Sequence, residues 1–174
     1  MKKTIFVFLF YFVFSMFNFA YPQQFKKYKV TTANFGYTIK YPYDWKITNI
    51  EGHLQLFAPK SSFDNFRPNV LILVTDLNSI TKNFEEFEDL WQKTILAELP
   101  DFMMLDKGKT LIGGKIAFYY IYSGQKNDKT FKYKRYSIKL GNFAYELIYE
   151  DREETFDFNL DLAEAIMQSI KIIK

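Results

Sequence analysis

The sequence predicts an α+β domain, an α/β/α sandwich in which a central antiparallel sheet lies between one mid-chain helix and one C-terminal helix. Three observations point there. Short runs rich in Tyr, Thr, Val and Ile recur through the chain and are split by turn residues. Two stretches, around Phe84–Leu99 and Phe156–Ile170, instead carry apolar residues at steps of three and four. Finally, the 174 residues suit one domain, with neither an internal repeat nor a Pro/Gly-rich linker from Tyr28 to Lys174.

The first twenty residues stand apart. Lys2 and Lys3 precede an apolar run from Thr4 to Ala20, the layout of a secretory signal with a cut near Ala20. The alternative is a retained N-terminal membrane anchor, against which the run ends near Asn18, short of the roughly 20 residues of a spanning helix. The chain is therefore expected to be exported, to the periplasm or beyond the cell. Losing the segment takes seven of the 20 Phe and lowers the formal charge from +3 to +1. A nearly neutral domain gives no support for nucleic-acid binding by bulk charge.

Residues 21–27 read as a short polar lead, and the domain is expected over 28–174. Strands are expected at Lys29–Thr32, Gly36–Tyr41, Lys46–Ile50 and Leu54–Ala58, with Pro42 and Glu51-Gly52 as breaks. Asn69–Val74 is a continuous apolar run, as a sheet buried on both faces requires. Phe84, Phe87, Trp91 and Ile95 make the stripe of the first helix, opened by an Asn83…Glu86 capping pattern and closed by Pro100. Met103–Ile112 and Ile116–Tyr122 flank Gly113-Gly114, and Phe131–Leu140 and Phe143–Tyr149 flank Gly141-Asn142, so each pair reads as a hairpin. Phe156, Leu160, Ala163, Ile166 or Met167, and Ile170 give the last helix.

Four segments carry a resemblance to a known family. They are Gly36-Tyr37-Thr38-Ile39-Lys40-Tyr41-Pro42 with Trp45 after it, Gly113-Gly114-Lys115-Ile116-Ala117, Gly141-Asn142-Phe143-Ala144-Tyr145, and the ending Met167-Gln168-Ser169-Ile170-Lys171. In them the chain resembles the PsbP-like domain over roughly residues 28–173. The resemblance implies an α/β/α sandwich and a non-enzymatic, partner-binding role. It carries over neither a metal ligand nor the photosystem docking of plant and cyanobacterial members, whose N-terminal docking extension has no match here.

Catalytic chemistry finds little to work with. Without cysteine there is no disulfide, thiolate metal site or Cys nucleophile, and His53 is the one histidine. Gly108-Lys109-Thr110 imitates the tail of a P-loop but has Met103 where the leading glycine belongs. Asp157 to Asp161 imitates a calcium loop but continues with Leu162 and Gln168 where Gly and Glu are needed. The acids at Glu85–Asp89 and Glu150–Glu154 sit where helices begin and suit a helix dipole. No enzyme, metal or cofactor is expected.

The expected site is a basic, aromatic strand: Lys126, Lys129, Lys132, Lys134, Arg135 and Lys139, with Tyr133 and Tyr136 among them. As an exposed edge or face it would dock an anionic membrane surface or an acidic protein partner. Changing Lys132 and Lys134 to Glu should then weaken docking and spare folding. The bland account is an edge strand protected by lysines. Two other functions stay open: a binder of a small or lipophilic ligand in an aromatic-lined pocket, and a carboxylate-based hydrolase.

Overall fold

The computed structural model describes residues 24–60, 66–80 and 83–173, so the signal or anchor expected over 1–20 lies outside the described residues. Ten strands and two helices follow in the order β1 (Phe25–Thr31), β2 (Gly36–Pro42), β3 (Lys46–Ile50), β4 (His53–Phe57), β5 (Asn69–Asp76), α1 (Phe84–Glu98), β6 (Met103–Ile112), β7 (Lys115–Lys126), β8 (Lys129–Leu140), β9 (Phe143–Arg152), α2 (Glu153–Gln168) and β10 (Lys171–Ile172). Seven strands form one antiparallel sheet in the order β3-β4-β5-β9-β8-β7-β6. A second, three-stranded sheet, β1-β2-β10, joins α2 in covering one face of the first. Helix α1 covers the other, which gives the expected α+β sandwich.

Turn chemistry builds the meander. The β6–β7 turn uses Gly113 and Gly114 at φ +56° and +77°, and the β8–β9 turn starts at Gly141 with φ +58°. A further two-residue hairpin joins β7 to β8 through Asn127 and Asp128, at φ +52° and +57°. These residue types tolerate the left-handed region that a tight hairpin needs. The strands around that turn run further than expected because Ser123, Gly124 and Gln125 pair like their apolar neighbours. At the N-terminus β1 begins at Phe25, so the last three residues of the expected lead belong to a strand. Helix α2 ends at Gln168, and Ile170 is buried just beyond it rather than on it.

Two apolar layers hold the sandwich. Tyr37 and Ile39 of β2, Leu54 and Leu56 of β4, Val70 and Ile72 of β5, and Tyr145, Leu147 and Tyr149 of β9 pack against Phe156, Ala163, Ile166 and Met167 of α2. On the opposite face Trp91 of α1 lies 4.8 Å from the Tyr120 ring, and Tyr122 stacks on Tyr133 at 4.9 Å. The Asn83 side chain accepts a hydrogen bond from the Glu86 amide at 2.9 Å, as its capping pattern predicts.

So many tyrosines in the interior tie stability to alkaline pH. Burial pushes the phenols of Tyr37, Tyr122, Tyr133, Tyr136 and Tyr149 well above the ordinary tyrosine range, and burial with Glu88 pushes Tyr120 up to about 12. A raised folded pKa means that the unfolded chain releases these protons first. The stabilisation is complete below the unfolded value near about 10 and is lost as pH climbs toward the folded values. Phenolate absorbance should therefore rise in the same cooperative step as loss of circular dichroism above about pH 10. Ionisation of these six buried phenols in a chain that stays folded would contradict this account, whereas exposed Tyr43 lies outside it.

Candidate functional site

Strand β8 lies between β7 and β9, so it is not an edge, and its alternation sends neighbouring side chains to opposite faces. Lys132 and Lys134 lean toward α2, where they pair with Asp157 at 3.0 Å and with Glu164. Tyr136 is buried on that side and donates to Glu164 at 3.1 Å. Tyr133 is buried on the α1 side and Arg135 is fully buried there. Lys126 pairs with Glu150 at 3.0 Å, while Lys129 and Lys139 are exposed. The expected single basic face therefore does not form. Because Lys132 and Lys134 bind α2, changing both to Glu would strike the packing of that helix, which corrects the expectation that folding would be spared.

Arg135 is the centre of a buried polar cluster. Its Nη1 and Nη2 donate to the two Glu88 oxygens at 2.7 and 3.0 Å, and its Nε donates to Glu146 at 2.8 Å. Ser137 donates to Glu88, and the guanidinium lies 4.0 Å over the Trp91 ring. Burial alone would depress the Arg135 pKa, but Glu88 and Glu146 outweigh it and hold the value above the ordinary one. Each of the three guanidinium nitrogens donates to a carboxylate, so the cluster joins α1 to the sheet.

A cleft of about 650 Å³ opens at one end of the sandwich. Its walls are Trp45 after β2, Ala58, Pro59, Phe66 and Pro68 around the β4–β5 connection, and Phe158 and Leu162 of α2. Phe158 is 89% exposed. Asp151 and Arg152 lie beneath, and the Arg152 guanidinium sits over the Phe66 and Phe131 rings at 5.3 and 4.8 Å. Asp151 accepts from Tyr149, the Arg152 amide, Thr155 and Asn159 at 2.7–2.9 Å, so its oxygens are occupied. Such a cleft can hold an apolar or aromatic group beside charge. Sequence reasoning missed it because four segments build it. Its one local signal is Phe158, which falls off the buried stripe of α2.

The remaining motifs settle into structure. Gly108-Lys109-Thr110 lies within β6. His53 opens β4, and its Nδ1 accepts from the Val74 amide at 3.2 Å. Among the described residues no cluster of three His, Cys, Asp or Glu could hold a metal ion, and no helix is long and apolar enough to cross a membrane.

With the architecture and clefts in view, the chain carries the PsbP-like fold that its sequence resembles. Among solved structures it is similar to LpqN of Mycobacterium tuberculosis, a protein involved in cell envelope biogenesis, at 16% identity and a TM-score of 0.64, covering 87% of this chain and 92% of that one. It is similar to a Pseudomonas aeruginosa protein of unknown function at 14% identity and a TM-score of 0.59, covering 84% and 95%. The cyanobacterial PsbP of Synechocystis matches at 10% identity and a TM-score of 0.58, covering 87% and 94%. No family model and no curated protein matches the chain.

Proposed function

We propose that the chain is an exported, non-enzymatic accessory protein that works at the cell envelope by binding. One observation carries the reading: the buried acids, Glu88, Glu146 and Asp151, are each committed to hydrogen bonds that hold the fold. A hydrolase built on these acids would need them free to move a proton. The Lys2-Lys3 start with the apolar run behind it supports export, and the fold shared with an envelope-biogenesis protein supports the compartment.

A second reading, binding of a small lipophilic ligand, is favoured by the aromatic-walled cleft beside Trp45 and Phe158. Its volume of about 650 Å³ lies within the usual range of ligand sites. Expression of the full chain with a photo-crosslinker at Phe158 separates the two. Crosslinks to an envelope protein in intact cells, lost when unlabelled wild-type chain is co-expressed but kept with Phe158→Ala, support binding through a partner. A co-purifying small molecule that quenches Trp45 emission supports the ligand. Recovery of the whole chain in the cytosol would defeat the export reading.

A further inference from the structure

Among the described residues, a group of exposed lysines without ion pairs lies on the second sheet. In β1 the inward side chains are Lys26, Tyr28 and Val30, so Phe25, Lys27, Lys29 and Thr31 face out. The register places Lys27 directly opposite Lys40 of β2, and Lys29 opposite Thr38, whose other neighbour is Lys171 of β10. All four lysines are exposed, no carboxylate occurs in any of the three strands, and none of the four has an ion pair among the described residues. Like charges opposed across a ladder destabilise it. Among the described residues no carboxylate pairs with these lysines to offset that cost.

We infer that this face, centred on Lys27, Lys29, Lys40 and Lys171, docks the protein on an anionic phospholipid bilayer. This deepens the envelope reading and rests on export. Three observations favour lipid over an acidic protein. The charges are all lysine, suited as compact point charges to a diffuse surface potential rather than to fixed carboxylate forks. Apolar Phe25 and Ile173 are 40% and 51% exposed at the rim, where they can enter the headgroup layer. A separate cleft of about 360 Å³ between Lys40, Lys115 and Lys171, with Ser169 in its lining, offers a place for a phosphate headgroup.

The path of the chain supports the same orientation. Five residue steps separate Ala20, the end of the apolar run, from Phe25, at most about 18 Å of extended chain. The Gln24 carbonyl accepts from the Tyr43 amide at 2.9 Å, so the start of β1 is fixed to this sheet. If the apolar segment is kept as an anchor, the link to Phe25 holds this side of the domain within about 18 Å of it.

Lysine acetylation of the full chain, expressed so that the cell processes its N-terminus, tests the face. The probes are phosphatidylcholine vesicles with and without 30% phosphatidylglycerol. The anionic vesicles should slow acetylation of Lys27, Lys29, Lys40 and Lys171 by about tenfold and leave exposed Lys93 and Lys107 unchanged, with 0.5 M NaCl abolishing the difference. Each lysine changed to Gln, in Lys27→Gln and then Lys27→Gln/Lys40→Gln, should weaken partition about fivefold without lowering the melting temperature. Equal acetylation in both vesicles, or protection only when envelope proteins are added, would overturn the lipid face. Cytosolic recovery of the chain overturns the export reading alone, whereas equal acetylation overturns the docking face alone.

Discussion

Changing Arg135 to Leu should destabilise the domain by about 3–5 kcal/mol, because it leaves the Glu88 and Glu146 carboxylates buried without their cation. Against a total stability of roughly 5–15 kcal/mol for a domain, that is a large share. It should lower the melting temperature by on the order of 10 °C. Replacing the whole cluster tells a different story. Arg135→Leu, Glu88→Leu, Glu146→Leu and Ser137→Ala together remove the cation with both acids, so no buried charge is left over, and Tyr120 loses Glu88 as a hydrogen-bond partner. Exchange of a buried ion pair for apolar side chains is commonly neutral or stabilising by about 1–4 kcal/mol, so the quadruple variant should recover most of the loss. Urea titrations of the two variants check this. A single variant that loses less than about 1 kcal/mol would show that water reaches the carboxylates, contrary to their burial.

The same residue shows what could be read from sequence. Hairpins, caps and the two amphipathic helices were legible because their causes are local: two residues at Gly113-Gly114, and three apart at Asn83 and Glu86. Arg135 was not. It stands in a run of lysines and reads as surface, and only its bonds to Glu88 and Glu146, 47 and 11 positions away, account for its burial. The basic face hid for the complementary reason. Lys27, Lys40 and Lys171 belong to three distant segments, and Phe25-Lys26-Lys27 reads as the end of a polar lead until β2 gives it a partner. The middle of a lysine-rich string, Lys132 and Lys134, was thus tied to acids of α2, while scattered lysines made the exposed face. A two-residue strand such as β10 has no pattern of its own, since its pairing with Thr38 and Tyr37 defines it.

Asp151→Ala should cost on the order of 2–4 kcal/mol, by a different route from the loss of Arg135. Asp151 is fully buried, and its two oxygens accept from four donors: the Tyr149 hydroxyl at 2.8 Å, the Arg152 amide at 2.7 Å, and the Thr155 and Asn159 side chains at 2.9 Å each. Arg152 itself makes no side-chain cap to α2, so this carboxylate anchors the first two turns of the helix from one residue before it. Truncation leaves the buried Tyr149 phenol with only its longer 3.3 Å bond to the Phe156 carbonyl and takes an acceptor from the buried Arg152 amide, each under-satisfied group costing about 1–3 kcal/mol, while exposed Thr155 and half-buried Asn159 turn to water. Asp151→Asn keeps the shape but turns one acceptor into a donor facing donors, so it should recover less than half of the loss. Tyr149→Phe in the alanine background removes that under-satisfied hydroxyl and should return about 1 kcal/mol. Amide exchange localises the damage: opening of α2 near Thr155 and Asn159 should quicken before the sheet does. Uniform acceleration across β7, β8 and β9 would mean that Asp151 supports the whole sandwich rather than the start of α2. Because Thr155, Asn159 and Phe158 also line the aromatic cleft, loosening that turn should weaken any ligand bound beside Trp45 while leaving the lysine face of β1, β2 and β10 intact.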